Sequence, residues 1–218
     1  MTSMNSSVRG TARLIGAGLR ALLALTVVCG VLYPLAVTGI AQAAFHDKAN
    51  GSEVTSGGEV VGSEIVGQRF DLAKKDKDGN PLPDPRYFQP RPSAAGTNAY
   101  NTQYSIIVSG ASNLAADSKV LKQTVIDRRK QVAAFNRVAP SRVPVDAVTA
   151  SGSGLDPDIS PAYATLQVTR VAQANGVARD QVARLVKDHT DGRQLGFLGE
   201  PRVNVLKLNI ALTRLVQR

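Results

Sequence analysis

The sequence predicts a single transmembrane helix followed by a small α+β soluble domain. Two observations carry this reading. The stretch from Ala21 to Phe45 contains no charged side chain, and the residues after it alternate short β-rich runs with capped helical stretches. A helix rises about 1.5 Å per residue, so about 20 apolar residues cross a hydrocarbon core of about 30 Å. The remaining chain, about 170 residues, is long enough for one domain with its own core.

The span is expected to be helical throughout, because only a helix satisfies its own backbone groups in lipid. Ala21 and Leu25 lie in its first half and Cys29 near its middle. Pro34 removes one backbone donor and is expected to bend the helix locally, and Gly39 allows close approach of a second helix. A cleaved signal peptide competes with this reading, since Ala41-Gln42-Ala43 fits a cleavage pattern. The apolar run is longer than the roughly 7–15 residues of a signal core, which favours a retained anchor. Arg9, Arg13 and Arg20 precede the span, and no acidic residue occurs before Asp47. The excess of basic residues places the N-terminus in the cytoplasm and the domain outside, across a plasma membrane. The expected organisation is thus a disordered segment 1–13, an anchor 14–45, a linker 46–58 and a soluble domain 59–218.

The chain carries 26 basic and 17 acidic residues, a net charge of +9. Without a basic stripe interleaved with aromatics, and with no Trp, this charge reads as solvated surface rather than a nucleic-acid interface. The one cysteine excludes both an internal disulfide and a thiolate metal centre.

Past the linker, Val60, Val61, Ile65 and Val66 suggest one or two short strands. Lys74 to Pro81 superficially resembles a calcium loop. Setting Gly79 at its sixth position puts Lys74 and Pro85 where carboxylates are required, so a solvated turn is the better reading. The proline-rich stretch Pro83–Ala95 is extended. It either presents Tyr87, Phe88 and Arg91 to a partner or packs both aromatics inward and pairs Arg91 with a carboxylate. Ser109-Gly110-Ala111-Ser112-Asn113 reads as a turn, with anion binding through its N–H groups as the other use. Asp117 or Ser118 caps a helix to about Asn136, with Val120, Leu121, Val125, Val132 and Phe135 inward and Arg128, Arg129 and Lys130 outward. Ser160-Pro161 starts a second helix that Asn175-Gly176 stops. Ala178–Asp188 is a third, His189–Pro201 a loop, Val203–Leu208 a strand, and the end a further helix.

Catalytic signatures are missing. No Lys is followed by Ser or Thr, which rules out a phosphate-binding Gly-x-x-x-x-Gly-Lys-Ser/Thr loop. Ser151, Ser153, Asp156 and His189 would be the members of a hydrolase triad, but no Gly-x-Ser-x-Gly elbow surrounds either serine. His46 and His189 are the only histidines, which makes a histidine metal site a poor fit.

The stretch Val145-Asp146-Ala147-Val148-Thr149-Ala150-Ser151-Gly152-Ser153-Gly154-Leu155-Asp156-Pro157-Asp158-Ile159-Ser160-Pro161 closely resembles the C subunit of the bacterial Kdp potassium-transporting ATPase. The resemblance extends over Tyr87-Phe88-Gln89-Pro90-Arg91-Pro92-Ser93-Ala94, Tyr100-Asn101, Ser109 to Leu114, Arg170-Val171-Ala172, His189 to Arg193, and Gly196 to Leu206. It covers the chain from about Arg20 to the end, in order. It implies a single-span, non-catalytic accessory subunit of an ATP-driven potassium uptake pump. The implied partners are a channel-like potassium-binding subunit, an ATP-hydrolysing subunit and membrane lipid.

The family has also been described as a catalytic chaperone that raises the ATP affinity of the hydrolysing subunit, so ATP is implied by resemblance alone. Its Ser-Gly stretch, here with Ala111 in place of a frequent second glycine, has been compared with the signature motif of ABC transporters. The charge-derived topology conflicts with contact to cytoplasmic ATP. It favours instead an assembly role in which the domain caps the potassium opening of the channel-like subunit, with Asp156, Asp158 and Glu200 as carboxylates that would face it. The residues expected to make family-specific contacts are Tyr87, Phe88, Arg91, Ser93, Ser109, Gly110, Ser112, Asn113, Ser151, Ser153, Gly154, Asp156, Arg193, Glu200 and Asn204.

Overall fold

The computed structural model describes residues 3–77, 79, 81–97 and 107–217, which divide into two compact units, Met1–Ser52 and Glu53–Arg218. In the first unit, helix α1 (Ser3–Val27) passes through a π-helical turn, Val28–Leu32, into α2 (Tyr33–Ala44), followed by the single turn α3 (His46–Ala49). Residues 10–44 are long and apolar enough to cross a membrane. The widened turn lies just before Pro34. A proline ring clashes with the carbonyl four residues earlier, so the proline-imposed disturbance appears as added helix width. The segment 3–13, expected to be disordered, is helical. No proline interrupts it, and a helix already nucleated in the apolar span extends backwards at little further cost. His46–Ala49 is likewise a helical turn where a linker was expected.

The second unit begins earlier than the sequence suggested. A hairpin pairs β1 (Glu53–Ser56) with β2 (Glu59–Ser63), so its first strand falls inside the expected linker. A second hairpin, β3 (Asp71–Lys75) with β4 (Pro81–Pro83), flanks the charged insert at Lys74–Pro81. The short pair β5 (Gly96–Thr97) and β6 (Ile107–Val108) follows. Then come α4 (Lys119–Asn136), a 3₁₀ turn at Pro140–Arg142, β7 (Asp158–Ile159), α5 (Pro161–Asn175), α6 (Arg179–Asp188), β8 (Thr190–Asp191), β9 (Arg202–Asn204) and α7 (Val205–Val216). Strands β7, β9 and β8 form a three-stranded antiparallel sheet in that order.

Helix α5 is the centre of the core. Tyr163, Ala164, Leu166, Val168, Val171 and Ala172 are all buried, so most of its circumference faces protein. Val182 and Val186 of α6, Val205, Leu208 and Leu212 of α7, Val203 of β9 and Phe88 close around it. Each such fully buried Val, Leu or Phe contributes roughly 1.5–3 kcal/mol relative to exposure.

The helix boundaries follow from local chemistry. Ser118 Oγ accepts from the Leu121 N–H, and Ser160 Oγ accepts from the Tyr163 N–H at 3.0 Å. Gly176, at φ +66°, ends α5 in the left-handed conformation that favours glycine.

Three expectations are corrected. Val203–Leu208 is not a continuous strand, because the Asn204 side chain accepts from the Lys207 N–H and starts α7 at Val205. Helix α4 packs Val125 and Val132 against the core as expected and buries Ala133 and Asn136, but it leaves Val120 exposed and turns Arg128 partly inward to donate to the Val148 carbonyl. Ile65 and Val66 are exposed in a turn after β2 rather than in a strand.

Candidate functional site

The residues singled out in the sequence separate into three groups in space. The first is a junction built on the loop Ser151–Asp158. Arg91 reaches it from the proline-rich segment, with Nη1 donating to Asp156 Oδ2 at 2.8 Å and Nη2 to the Thr149 carbonyl at 3.4 Å. The other carboxylate oxygen of Asp156 accepts from the Asp158 N–H at 3.0 Å. Ser93 Oγ donates to the Gly154 carbonyl at 2.6 Å. Ser109 Oγ and the Gly110 N–H both donate to the Ser153 carbonyl, at 2.9 and 2.8 Å. The Ser151 N–H donates to the Pro92 carbonyl, and Gly67 N–H to the Leu155 carbonyl.

Gly154 occupies the point of closest approach. Its φ is +71°, and a Cβ there would lie 2.7 Å from Ala95 N and 2.8 Å from the Gly110 carbonyl. Only glycine fits both the backbone angle and the space. The junction therefore joins three segments distant in sequence: the proline-rich segment, the Ser-Gly stretch and the Ser151–Asp158 loop.

In the second group, Tyr87 and Phe88 belong to the core. Phe88 is fully buried, and Tyr87 packs on Phe70 with ring centroids 5.4 Å apart. Of the two readings left open for this segment, the structure adopts the inward-packed one, with Arg91 paired to a carboxylate.

An extended backbone inside a core needs partners for its N–H and C=O groups. Side chains of the helices supply them. Asn209 Oδ1 accepts from the Phe88 N–H while its Nδ2 donates to the Phe88 carbonyl, both at 2.9 Å. Gln167 does the same for Gln89, at 2.8 and 3.1 Å. Arg170 donates to the carbonyls of Pro85 and Tyr87, to Asn136 Oδ1 and to Gln167 Oε1. Its guanidinium also lies over the Phe135 ring, 4.3 Å from the centroid. Burial pulls the Arg170 pKa down to about 10, which leaves it charged at neutral pH.

Gln167, Arg170 and Asn209 were not among the expected site residues. Their signal was present, as polar side chains inside otherwise apolar helical faces, but a lone sequence does not say what they bind.

The third group is the C-terminal stretch. Arg193 pairs with Glu200 at 2.9 Å across a tight loop. Asn204 is buried and donates through Nδ2 to the Glu64 carbonyl at 2.9 Å. Asp158 pairs with Arg202 at 3.1 Å, and burial raises its carboxyl above the usual range. Ser112 and Asn113 are exposed and lie off the junction. In the helical unit, Ala21, Leu25, Cys29, Pro34 and Gly39 are all exposed.

The triad drawn from sequence is not assembled. Ser153 Oγ accepts from the Leu155 N–H, and His189 Nδ1 is 2.9 Å from the Leu185 carbonyl. Each is engaged with nearby backbone rather than with the other. Among the described residues, no cluster of three His, Cys, Asp or Glu side chains is arranged to hold a metal ion.

A sequence profile described as "K+-transporting ATPase, c chain", KdpC, matches residues 15–214. The chain belongs to the KdpC family. It is 58% identical to the potassium-transporting ATPase KdpC subunit of Streptomyces avermitilis, over 98% of this chain and 99% of that protein. The corresponding subunit of Streptomyces coelicolor is 56% identical, covering 98% and 97%. That of Mycobacterium tuberculosis is 48% identical, covering 89% and 94%. All three junction segments and the apolar N-terminal helix lie inside the KdpC match, apart from the residues before 15.

Proposed function

We propose that this chain is the non-catalytic accessory subunit of a high-affinity, ATP-driven potassium uptake pump. It is held in the plasma membrane by the α1–α2 helix, with its N-terminus in the cytoplasm and the globular unit outside. There it binds the channel-like subunit, stabilises the assembly with the ATP-hydrolysing subunit and caps the potassium opening. The observation that carries the reading is the end-to-end similarity to potassium-transporting ATPase KdpC subunits.

The geometry supports a docking platform over a catalyst. Holding three hydrogen-bonded segments in a fixed arrangement is a scaffold's task, and the Ser153 and His189 side chains that hydrolysis would need are engaged with backbone. The Ser-Gly stretch has been compared with a nucleotide-contacting motif, but its Ser109 hydroxyl and Gly110 N–H both point to the Ser153 carbonyl. Those donors are thereby unavailable to a phosphate. Arg9, Arg13 and Arg20, all before the apolar run, support the outward orientation of the domain.

Sidedness tests the reading. Cys29→Ala removes the native thiol, Ser153→Cys places a single new one on an exposed loop, and intact cells are treated with a membrane-impermeant thiol reagent. Prompt labelling is expected. Labelling only after permeabilisation, with normal labelling of the purified complex, would overturn the orientation and restore direct action on cytoplasmic ATP.

A further inference from the structure

The loop between Arg193 and Glu200 exposes three large apolar side chains within four positions. Leu195 is 82% exposed, Phe197 69% and Leu198 48%. Single exposed apolar residues are ordinary, but a cluster on one protruding turn marks an interaction surface. The turn is firmly wound. Gln194 and Leu198 exchange two backbone hydrogen bonds, each 2.9 Å, and the N–H groups of Gly196 and Phe197 donate to the Arg193 and Gln194 carbonyls. Leu195 holds φ +52°, a conformation that glycine or asparagine adopts with less strain. A leucine there leaves an apolar side chain in water as well as a strained backbone.

Charge selects the occupant. The tip from Gln194 to Gly199 has no ionisable group, and Arg193 and Glu200 neutralise each other at its base, 2.9 Å apart. A loop made for an anionic bilayer surface carries an excess of Lys and Arg beside its apolar residues. This loop has none. An uncharged apolar tip on a pre-formed turn instead matches the buried centre of a protein interface, where aromatic and aliphatic anchors fill a pocket.

We propose that the 194–199 turn inserts Leu195 and Phe197 into an apolar pocket on the channel-like subunit of the potassium pump. The proposal rests on the accessory-subunit reading and names the element that makes the contact. Two measurements on the assembled complex test it. A photo-crosslinking amino acid replaces Phe197 in one strain and, as a control, Val120 of α4, which is 64% exposed, in another.

The expected result is an adduct with the channel-like subunit from position 197 and none from position 120. The double variant Leu195→Ser, Phe197→Ser is expected to recover at least about ten-fold less of the partner subunits, a change in line with losing interface anchors. Its own melting temperature should change little, because both replaced side chains are mostly exposed. Adducts from position 197 only with the ATP-hydrolysing subunit, only with lipid, only with a second copy, or with nothing would overturn the docking turn while wild-type co-purification left the accessory role standing. Failure of the wild-type chain itself to co-purify with pump subunits would overturn the accessory role.

Discussion

Asn209 brackets Phe88 across 121 residues of chain, accepting from its N–H and donating to its carbonyl with one carboxamide. A strand neighbour would supply the same two bonds. Here a helix side chain stands in for the strand, so a proline-rich segment that cannot join a sheet is still held in the core.

Asn209→Leu should therefore be strongly destabilising although it makes the site more apolar. It leaves one buried donor and one buried acceptor without partners, at about 1–3 kcal/mol for each. A loss of several kcal/mol, seen as a lowered midpoint in thermal or denaturant unfolding of the full chain in detergent, is expected. A change below 1 kcal/mol would show that water or a shifted backbone replaces the amide.

Gly154→Ala tests the loop junction. The new Cβ meets Ala95 N and the Gly110 carbonyl at distances real Cβ atoms do not adopt, on a backbone at φ +71°. The loop must move, which breaks the bonds from Ser93, Ser109 and Gly110. Hydrogen exchange of the Gly110 amide should accelerate markedly, whereas amides in the middle of α5 should keep their protection. Unchanged exchange at Gly110 would mean that the three segments are not held together at this point.

Asp84 gives a pH dependence of definite sign. The buried carboxylate accepts from the Arg86 side chain and N–H, and chiefly the side-chain bond holds its pKa below the ordinary 3.8. In the window between the folded and ordinary values the unfolded chain binds more protons. The contribution to stability is thus complete above about pH 4 and disappears as pH falls through the folded pKa. Asp158 tilts the other way, because burial raises its pKa. Comparing the native chain with Asp84→Asn isolates the Asp84 limb, since Asp158 is common to both. The variant should lose less stability on acidification below pH 4, and parallel acid-unfolding curves would contradict the assignment.

Much of the helical framework was legible because its signals are local. Ser118, Ser160-Pro161 and Asn175-Gly176 act through hydrogen bonds or dihedral preferences within a few residues, so reading them needs no knowledge of the rest of the chain. Val203–Leu208 failed for a related reason. Its apolar alternation satisfies both a strand and the start of a buried helix, and the choice rests on the Asn204 cap and on Val205, Leu206 and Leu208 all finding core contacts. The expected site was legible as a set of loops but not as an arrangement. Tyr87, Phe88 and Arg91 left two readings open until Asp156 and Asn209 were seen to reach them.

By itself the sequence determined the apolar N-terminal span, the family, the capped helices and the extended course of the proline-rich segment, all of which depend on composition, order or nearest neighbours. Only the tertiary structure decided that the Ser-Gly stretch closes on the Ser153 carbonyl, that Gln167, Arg170 and Asn209 hold the backbone beside Phe88, and that the 194–199 turn keeps its apolar side chains outside. The first two of those facts join residues tens to more than a hundred positions apart, and the third depends on what does not cover the turn. Hydrogen-bond satisfaction and burial are settled by which groups meet in space, and no local pattern along the chain encodes that meeting.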